Sequence, residues 1–276
     1  MSNVAASQIE MHMRADREVA LEIAKHITSV EQEGKLFSEA AREADLDADI
    51  EWCPGWTMRD LVRHLGEIHL WAAAHVAQPH DKPWVDDLGE LTAFWPELAV
   101  FWPDDNDLIA WYLETNANLV GALRSAPPDV QAFQFLPAPT PLAMWARRQA
   151  HETAVHRFDA ESAAGIASHF DADFAADGVD ELVSGFAPRK EKFPVATPQT
   201  MVVHASDTDD RWRLTLRPDG VTTTRDDGPA DLTLTGDASD LYLALWNRNN
   251  DDGVDLSGDV DILDAWHGNS KVRWTR

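Results

Sequence analysis

Residues 145–160, WARRQAHETAVHRFDA, are the most informative stretch of this 276-residue chain. Helical spacing continues on both sides of them and predicts a long helix from Leu142 to about Ala164, ended by Gly165. At about 100° per residue, Glu152 and His156 lie on one face of this helix, one turn apart. A carboxylate and an imidazole at this spacing can bind one cation together.

The pair is weak evidence by itself, because most Glu-x-x-x-His pairs are solvated or form a surface hydrogen bond. His151 lies about 140° around the helix from His156 and cannot easily share its ligand. Trp145, Gln149 and Asp159 flank the pair, and we expect this stripe to point into a helical bundle. A further metal ligand must therefore come from another helix.

An earlier helix, capped by Thr57 and continuing to about Ala77, carries histidines at positions 64, 69 and 75. His64 and His75 share a face but are about 16 Å apart along the axis, so they cannot bind the same ion. His64 lies beside apolar residues and is the inward-facing candidate. The alternative is a hydrogen-bonded core histidine. With Glu152 and His156, His64 would complete the two-histidine, one-carboxylate set of many catalytic zinc sites, with a position open for water or a thiolate.

The remaining pattern predicts an α+β protein, in which a four-helix bundle precedes a small α+β domain. Residues 1–25 are expected to form an arm or helix, residues 26–168 the bundle, and residues 169–276 the second domain. The bundle's other helices are expected at residues 27–43 and 108–123. The second domain should contain strands at 200–204, 212–216, 221–224 and 232–234, a helix at 239–246, and edge strands at 253–256 and 272–274.

Residues 79–103 form a loop-rich connection in this interpretation, with a short helix near 91–101. Three of its tryptophans are candidates for the mouth of a pocket: Trp84, Trp95 and Trp102.

Composition narrows the possible partners. Lys and Arg number 23 against 48 Asp and Glu, a formal net charge of -25. A surface this acidic repels phosphate backbones and anionic membranes, so no nucleic-acid or membrane partner is expected. Neither a signal peptide nor an apolar run long enough to cross a bilayer is evident, which predicts a cytoplasmic protein.

Cys53 is the only cysteine, so an internal disulfide and a cysteine-based zinc site are excluded. Its neighbours Trp52, Pro54 and Trp56 favour a small buried hydrophobic residue over a nucleophile.

Three motifs resemble the mycothiol-dependent maleylpyruvate isomerase family of the DinB-like superfamily: CPGWTMRDLVRHLG at 53–66, RRQAHETAVHRFDA at 147–160 and LTLTGDASDLYLALWNR at 232–248. The last resembles that family's sterol-carrier-like second domain. The resemblance implies a divalent metal, typically Zn²⁺, held by His64, Glu152 and His156. It also implies mycothiol as the thiol cosubstrate, so that the chain itself needs no catalytic nucleophile.

The resemblance implies that a metal-activated thiolate attacks a small-molecule acceptor. The enzyme would be a maleylpyruvate isomerase-like protein or, alternatively, a mycothiol S-transferase in detoxification or secondary metabolism. A catalytically silent metal- or ligand-binding protein is the alternative from another class. A monomer or small homo-oligomer is expected.

Four further positions are candidates for roles at the site. Asp159 is a candidate second-shell partner of a ligand imidazole, although a surface carboxylate is the equal alternative. Arg248 matches an arginine that recurs in the family's second domain, where it would hold a substrate carboxylate. Arg147 and Arg148 would either neutralise a substrate carboxylate or form surface ion pairs, the latter being favoured for at least one of them.

Overall fold

The computed structural model describes residues 2–77, 101–226 and 228–269. The chain divides into two compact units, Met1–Ala167 and Ser168–Arg276. The first unit is helical and the second combines a five-stranded sheet with helices, which confirms the predicted α+β fold class. Within the described ranges, no helix combines the length and apolar character needed to cross a membrane.

The helical unit is a four-helix bundle of α1 (Ser2–Glu43), α2 (Met58–Ala77), α3 (Asp105–Ser125) and α4 (Pro141–Ala163). Helices α1 and α2 each pack against both α3 and α4. The sequence predicted a separate helix beginning near residue 27, whereas α1 runs without a break from Ser2. This segment contains no proline, and Gly34 is its only glycine, so little in the sequence interrupts the helix.

Side-chain caps set the starts of the two helices that carry the candidate ligands. The backbone N–H of Thr57 donates to Asp60 Oδ2 at 3.0 Å, and the Asp60 N–H faces Thr57 Oγ1 at 3.4 Å. This is a reciprocal capping box in which Asp replaces the usual Glu. Helix α4 begins with Pro141, and Thr140 Oγ1 accepts a hydrogen bond from the Ala143 N–H at 3.1 Å.

Close helix contacts depend on small residues and on one buried amide. A Cβ at Gly66 would overlap the ring of Trp111, so α2 and α3 approach closely only because this position has no side chain. Asn116 Nδ2 donates to the Val30 carbonyl at 3.2 Å and joins α3 to α1. These contacts hold α3 against α2 and α1, while α4 packs on α1 and α2.

In the second unit, helix α5 (Ala172–Asp180) continues into a π-helical turn, Glu181–Phe186. The sheet follows, with strands β1 (Gln199–Ala205), β2 (Asp210–Arg217), β3 (Gly220–Thr224), β4 (Leu232–Gly236) and β5 (Asp255–Gly258) in the order β3-β2-β1-β4-β5. Only β1 and β4 pair in parallel; the other pairs are antiparallel. Helices α6 (Ala238–Leu245) and α7 (Asp261–Asn269) complete the unit.

Alternation along the strands builds the core of the second unit. Trp212, Leu214 and Leu216 of β2 are fully buried, while the residues between them are half-buried. A turn at Pro218 and Asp219 joins β2 to β3, and Gly220 occupies a positive φ of 141° that other residues avoid. Helix α6 packs on β1 and β4.

Two helices of this unit, α5 and α7, were not predicted, because both are nine residues long and rich in Asp. The predicted strand at 253–256 is found two residues later, at Asp255–Gly258. The predicted strand at 272–274 lies outside the described residues, as does all of the predicted helix at 91–101 except Phe101.

Candidate metal centre

The bundle brings His64 of α2 together with Glu152 and His156 of α4. One donor atom from each lies within 4.8 Å of the other two. Glu152 Oε1 is 3.6 Å from His64 Nε2 and 3.5 Å from His156 Nε2. All three side chains are buried.

These separations fit a shared cation better than direct hydrogen bonds. Hydrogen bonds between nitrogen and oxygen are usually about 2.7–3.2 Å long. Two donor atoms on a tetrahedral Zn²⁺, each about 2.1 Å from the ion, are about 3.4 Å apart. Glu152 Oε1 also accepts no hydrogen bond of ordinary geometry from the described residues. The donor set of two imidazoles and one carboxylate is one that Zn²⁺ commonly uses.

Asp159 orients the imidazole of His156. His156 Nδ1 and Asp159 Oδ2 are 2.8 Å apart, and both side chains are fully buried. A carboxylate partner requires the proton on Nδ1, so Nε2 presents its lone pair toward Glu152. Asp159 is buried, so the alternative of a surface carboxylate is wrong, while its role as the partner of a ligand imidazole stays a prediction.

Arg148 holds the other oxygen of Glu152. Its Nη2 donates to Glu152 Oε2 at 2.9 Å, and only 4% of the Arg148 residue is exposed. The two carboxylate oxygens therefore have different neighbours: Oε2 accepts from the guanidinium, and Oε1 faces the two histidines.

The electrostatics favour an ionised carboxylate between the histidines. Burial alone would raise the pKa of Glu152, but the adjacent imidazoles of His156 and His64 and the charge of Arg148 lower it well below its usual value. Burial lowers the pKa of His64. Burial also opposes protonation of His156, yet Asp159 and Glu152 raise its pKa above the usual value. A cation would therefore bind an ionised Glu152 and a neutral His64, and it would compete with a proton for His156.

His69 and Cys53 surround the site without joining it. His69 Nε2 is 3.0 Å from Thr153 Oγ1, and burial lowers the pKa of His69 to about 3, so this histidine is neutral. The Cys53 thiol donates to Asp159 Oδ2 at 3.6 Å and is buried, as its apolar neighbours predicted.

Comparison with known proteins identifies the family of the chain. The family model for the mycothiol maleylpyruvate isomerase N-terminal domain matches residues 28–161, and the model for the family's C-terminal domain matches residues 173–265. The chain belongs to the mycothiol maleylpyruvate isomerase family. A comparison with curated protein sequences found no match.

Two crystal structures share the fold of this family member. Both are of the mycothiol-dependent maleylpyruvate isomerase, one of them a histidine-to-alanine mutant. The mutant has a TM-score of 0.58 at 15% identity and the other a TM-score of 0.57 at 17% identity. Each match covers 86% of this chain and 94% of that structure.

The other sequence candidates lie in varied surroundings. His75 is a core histidine of this family member: its Nδ1 is 2.8 Å from the Trp71 carbonyl and its ring stacks on Trp145 at 4.5 Å. Arg248, in the second unit, is buried and its Nη1 donates to the Trp246 carbonyl at 2.9 Å. Trp102 is exposed and lies under the Arg63 guanidinium, 5.3 Å from ring centre to Cζ. Trp84 and Trp95 lie outside the described residues.

Sequence reasoning missed one contact of the site. The favoured interpretation of Arg147 and Arg148 was that at least one of them forms a surface ion pair, whereas the ion pair of Arg148 is buried against Glu152. The spacing of four residues between Arg148 and Glu152 was the available signal, because that spacing places both on one helix face. Arg147 is half-buried.

Proposed function

We propose that this family member is a mycothiol-dependent metalloenzyme whose divalent cation, most simply Zn²⁺, is held by His64, Glu152 and His156. In this proposal, the thiolate of mycothiol attacks a small-molecule acceptor. The observation that carries it is the position of Glu152 Oε1, which is buried and faces two imidazole nitrogens at 3.5 and 3.6 Å. Membership of the family supports the choice of thiol.

When bound, the cation would lower the pKa of a thiol at its open position, so that the cosubstrate is a nucleophilic thiolate at neutral pH. The chain's own residues prepare for this. Glu152 supplies the only negative charge among the three ligands, and Asp159 fixes the tautomer of His156 so that Nε2 faces the site. Because the nucleophile comes from the cosubstrate, no cysteine of the chain is needed.

Two reactions fit this machinery and differ in the acceptor. In the isomerase-like reaction, sulfur adds to a cis double bond, the resulting single bond rotates, and elimination returns the trans isomer with the thiol regenerated. In an S-transferase reaction, sulfur displaces a leaving group and stays on the product. The net charge of -25 is an observation that favours the transferase as second candidate, since a dicarboxylate acceptor needs cationic groups near the metal.

Arg248 is proposed to hold a carboxylate of the acceptor. Its guanidinium is buried and already oriented by the Trp246 carbonyl. A planar guanidinium can bind a carboxylate through two parallel hydrogen bonds, which a lysine cannot reproduce. Arg248→Lys should therefore raise KM for an acidic acceptor and leave the metal content unchanged.

Metal analysis and mycothiol calorimetry test the proposal. Purified wild-type protein should retain a divalent metal, while His64→Ala and Glu152→Gln should lose it. His204→Gln, a histidine change in the sheet unit, is the control and should retain the metal. Mycothiol should bind the wild type and lose most of its affinity after treatment with a chelator. A wild type without metal, or mycothiol binding unaffected by chelation, would overturn the metalloenzyme; metal with no mycothiol binding would favour the silent binding protein.

A further inference from the structure

One face of α4 carries Arg148, Glu152 and His156 in line, at successive spacings of four residues. Side chains on a helix lean toward its amino terminus, so the Glu152 carboxylate leans toward Arg148 and the His156 ring leans toward Glu152. The distances agree: Arg148 Nη2 is 2.9 Å from Glu152 Oε2, while His156 Nε2 is 3.5 Å from Oε1. The two carboxylate oxygens thus have different partners.

We propose that Arg148 is a positioning residue that restricts Glu152 to one metal-binding oxygen and so keeps a coordination position open for the thiol. This inference rests on the proposed function, because it assigns a role toward the cation of that site. Arg148 thereby becomes part of the proposed site, and its ion pair explains why Glu152 would bind the cation through one oxygen only.

Burial makes the restriction effective. Arg148 and Glu152 are 4% and 3% exposed, so water offers little alternative to the ion pair. Without Arg148, Oε2 would be a buried acceptor without its donor, which is costly. Turning toward the cation would satisfy it, and Glu152 would then bind through both oxygens. A catalytic zinc site needs a position for its substrate beyond its three protein donor atoms. A carboxylate that used both oxygens would supply a fourth protein donor atom, so a water or thiol would have to bind as a fifth ligand and would bind more weakly.

A second pair on the same helix provides a matched control. Arg157 and Glu161 have the same four-residue spacing, both are buried, and Arg157 Nη1 is 3.3 Å from Glu161 Oε1. Arg157 also contacts Glu33 of α1 at 2.6 Å. Neither carboxylate is a candidate metal ligand. Arg157→Met therefore removes a buried guanidinium from α4 and leaves the three ligands with their partners.

The test uses full-length protein loaded with Co²⁺, whose visible absorption is stronger in four-coordinate than in five-coordinate sites. Wild type, Arg148→Met, Arg148→Lys and Arg157→Met are each titrated with 2-mercaptoethanol, and the thiolate-to-cobalt charge-transfer band reports binding. We expect Arg148→Met to show a weaker visible band and about tenfold weaker thiol binding. Arg148→Lys should lie between it and the wild type, since a lysine keeps the charge but not the planar fork. Arg157→Met should match the wild type.

The outcomes separate this inference from the proposed function. A wild type that gives no cobalt spectrum overturns both. A normal wild-type spectrum, with Arg148→Met and Arg148→Lys matching it in band intensity and thiol affinity, overturns the role of Arg148 alone. An equal loss in Arg157→Met also overturns it, because any buried guanidinium of α4 would then serve. If Arg148→Met fails to give wild-type circular dichroism, the milder Arg148→Lys decides between these outcomes.

Discussion

The two units of the molecule differ in what they bury. In the described part of the helical unit, six histidines, two arginines and three carboxylates are buried, whereas in the described part of the sheet unit the buried ionisable side chains are Glu181 and Arg248. The sheet unit fills its interior with Trp212, Leu214, Leu234 and similar residues instead. Both units have an apolar core, but the helical unit buries many more ionisable side chains than the sheet unit does.

The difference supports placing the proposed chemistry in the bundle. Burying a charge costs free energy unless a partner compensates it, and an apolar core is usually at least as stable. Buried ionisable groups at a functional site are retained because they change reactivity. In the bundle, the buried side chains of His64, Arg148 and His156 lie against the Glu152 carboxylate, whereas the sheet unit follows the ordinary rule of apolar residues inside.

The largest effect is expected from a cavity in the apolar core. Trp212 is fully buried in β2, and its Nε1 donates to Asp180 Oδ1 at 2.9 Å. Trp212→Ala should lower the free energy of unfolding by about 4 kcal/mol, because it leaves a cavity and removes one of the hydrogen bonds to Asp180. Denaturant unfolding followed by circular dichroism measures the loss. Metal content under native conditions should stay at the wild-type value. A variant that lost its metal would contradict the idea that the metal site depends on the helical unit alone.

The next effect tests the cost of buried charge in the bundle. Burial raises the pKa of Glu33 to about 7, although the Arg157 guanidinium lowers it and Glu161 raises it further. Since the folded pKa exceeds the ordinary value of 4.5, the native state binds the proton more tightly, and stability falls as pH rises from 4.5 to 7. The full contribution is on the order of 3 kcal/mol.

Glu33→Gln should remove this dependence. The free energy of unfolding, measured by urea titration at several pH values, should decline less between pH 4.5 and 7 in the variant than in the wild type. Glu67, whose pKa burial also raises to about 7, would still contribute a slope of its own. Parallel curves for the two proteins would show that Glu33 is not held protonated by burial.

The sequence predicted the architecture and the convergence of the site because both depend on local spacing. Helical periodicity placed Glu152 and His156 on one face, and the pattern of residues 212–216 predicted a strand. The rise along α2 showed that His64 and His75 cannot bind the same ion, and the apolar neighbours of His64 made it the inward-facing candidate. The role of Arg148 was missed because spacing alone does not tell whether an arginine is buried against its partner or solvated.

The third effect concerns orientation of a candidate ligand. Asp159 fixes His156 through Nδ1, at 2.8 Å. Asp159→Asn should lower metal affinity by about 10- to 100-fold, because the amide cannot stabilise the imidazole as a carboxylate does. Competition with a chromophoric chelator measures the affinity. Asp180→Asn provides the matched change in the sheet unit and should weaken that unit without altering metal affinity; equal losses in both variants would argue against a specific role of Asp159.

The smallest effect compares two helix caps. Thr140 Oγ1 caps α4, which carries two of the three candidate ligands, and the Asp171 side chain caps α5 by accepting from the Asp173 and Phe174 N–H groups at 3.1 and 3.4 Å. Replacing either cap by alanine should lower the free energy of unfolding by about 1 kcal/mol.

Their effects on the metal should nevertheless differ. In Thr140→Ala, the first turn of α4 should fray, one to two turns before Arg148 and Glu152. Metal binding should therefore weaken by a few-fold at most, because only part of the loss of about 1 kcal/mol acts on the site. Asp171→Ala should leave metal affinity unchanged, since α5 contributes no ligand. Chelator competition on both variants compares them directly. A larger metal defect in Asp171→Ala than in Thr140→Ala would mean that the bundle does not hold the cation by itself.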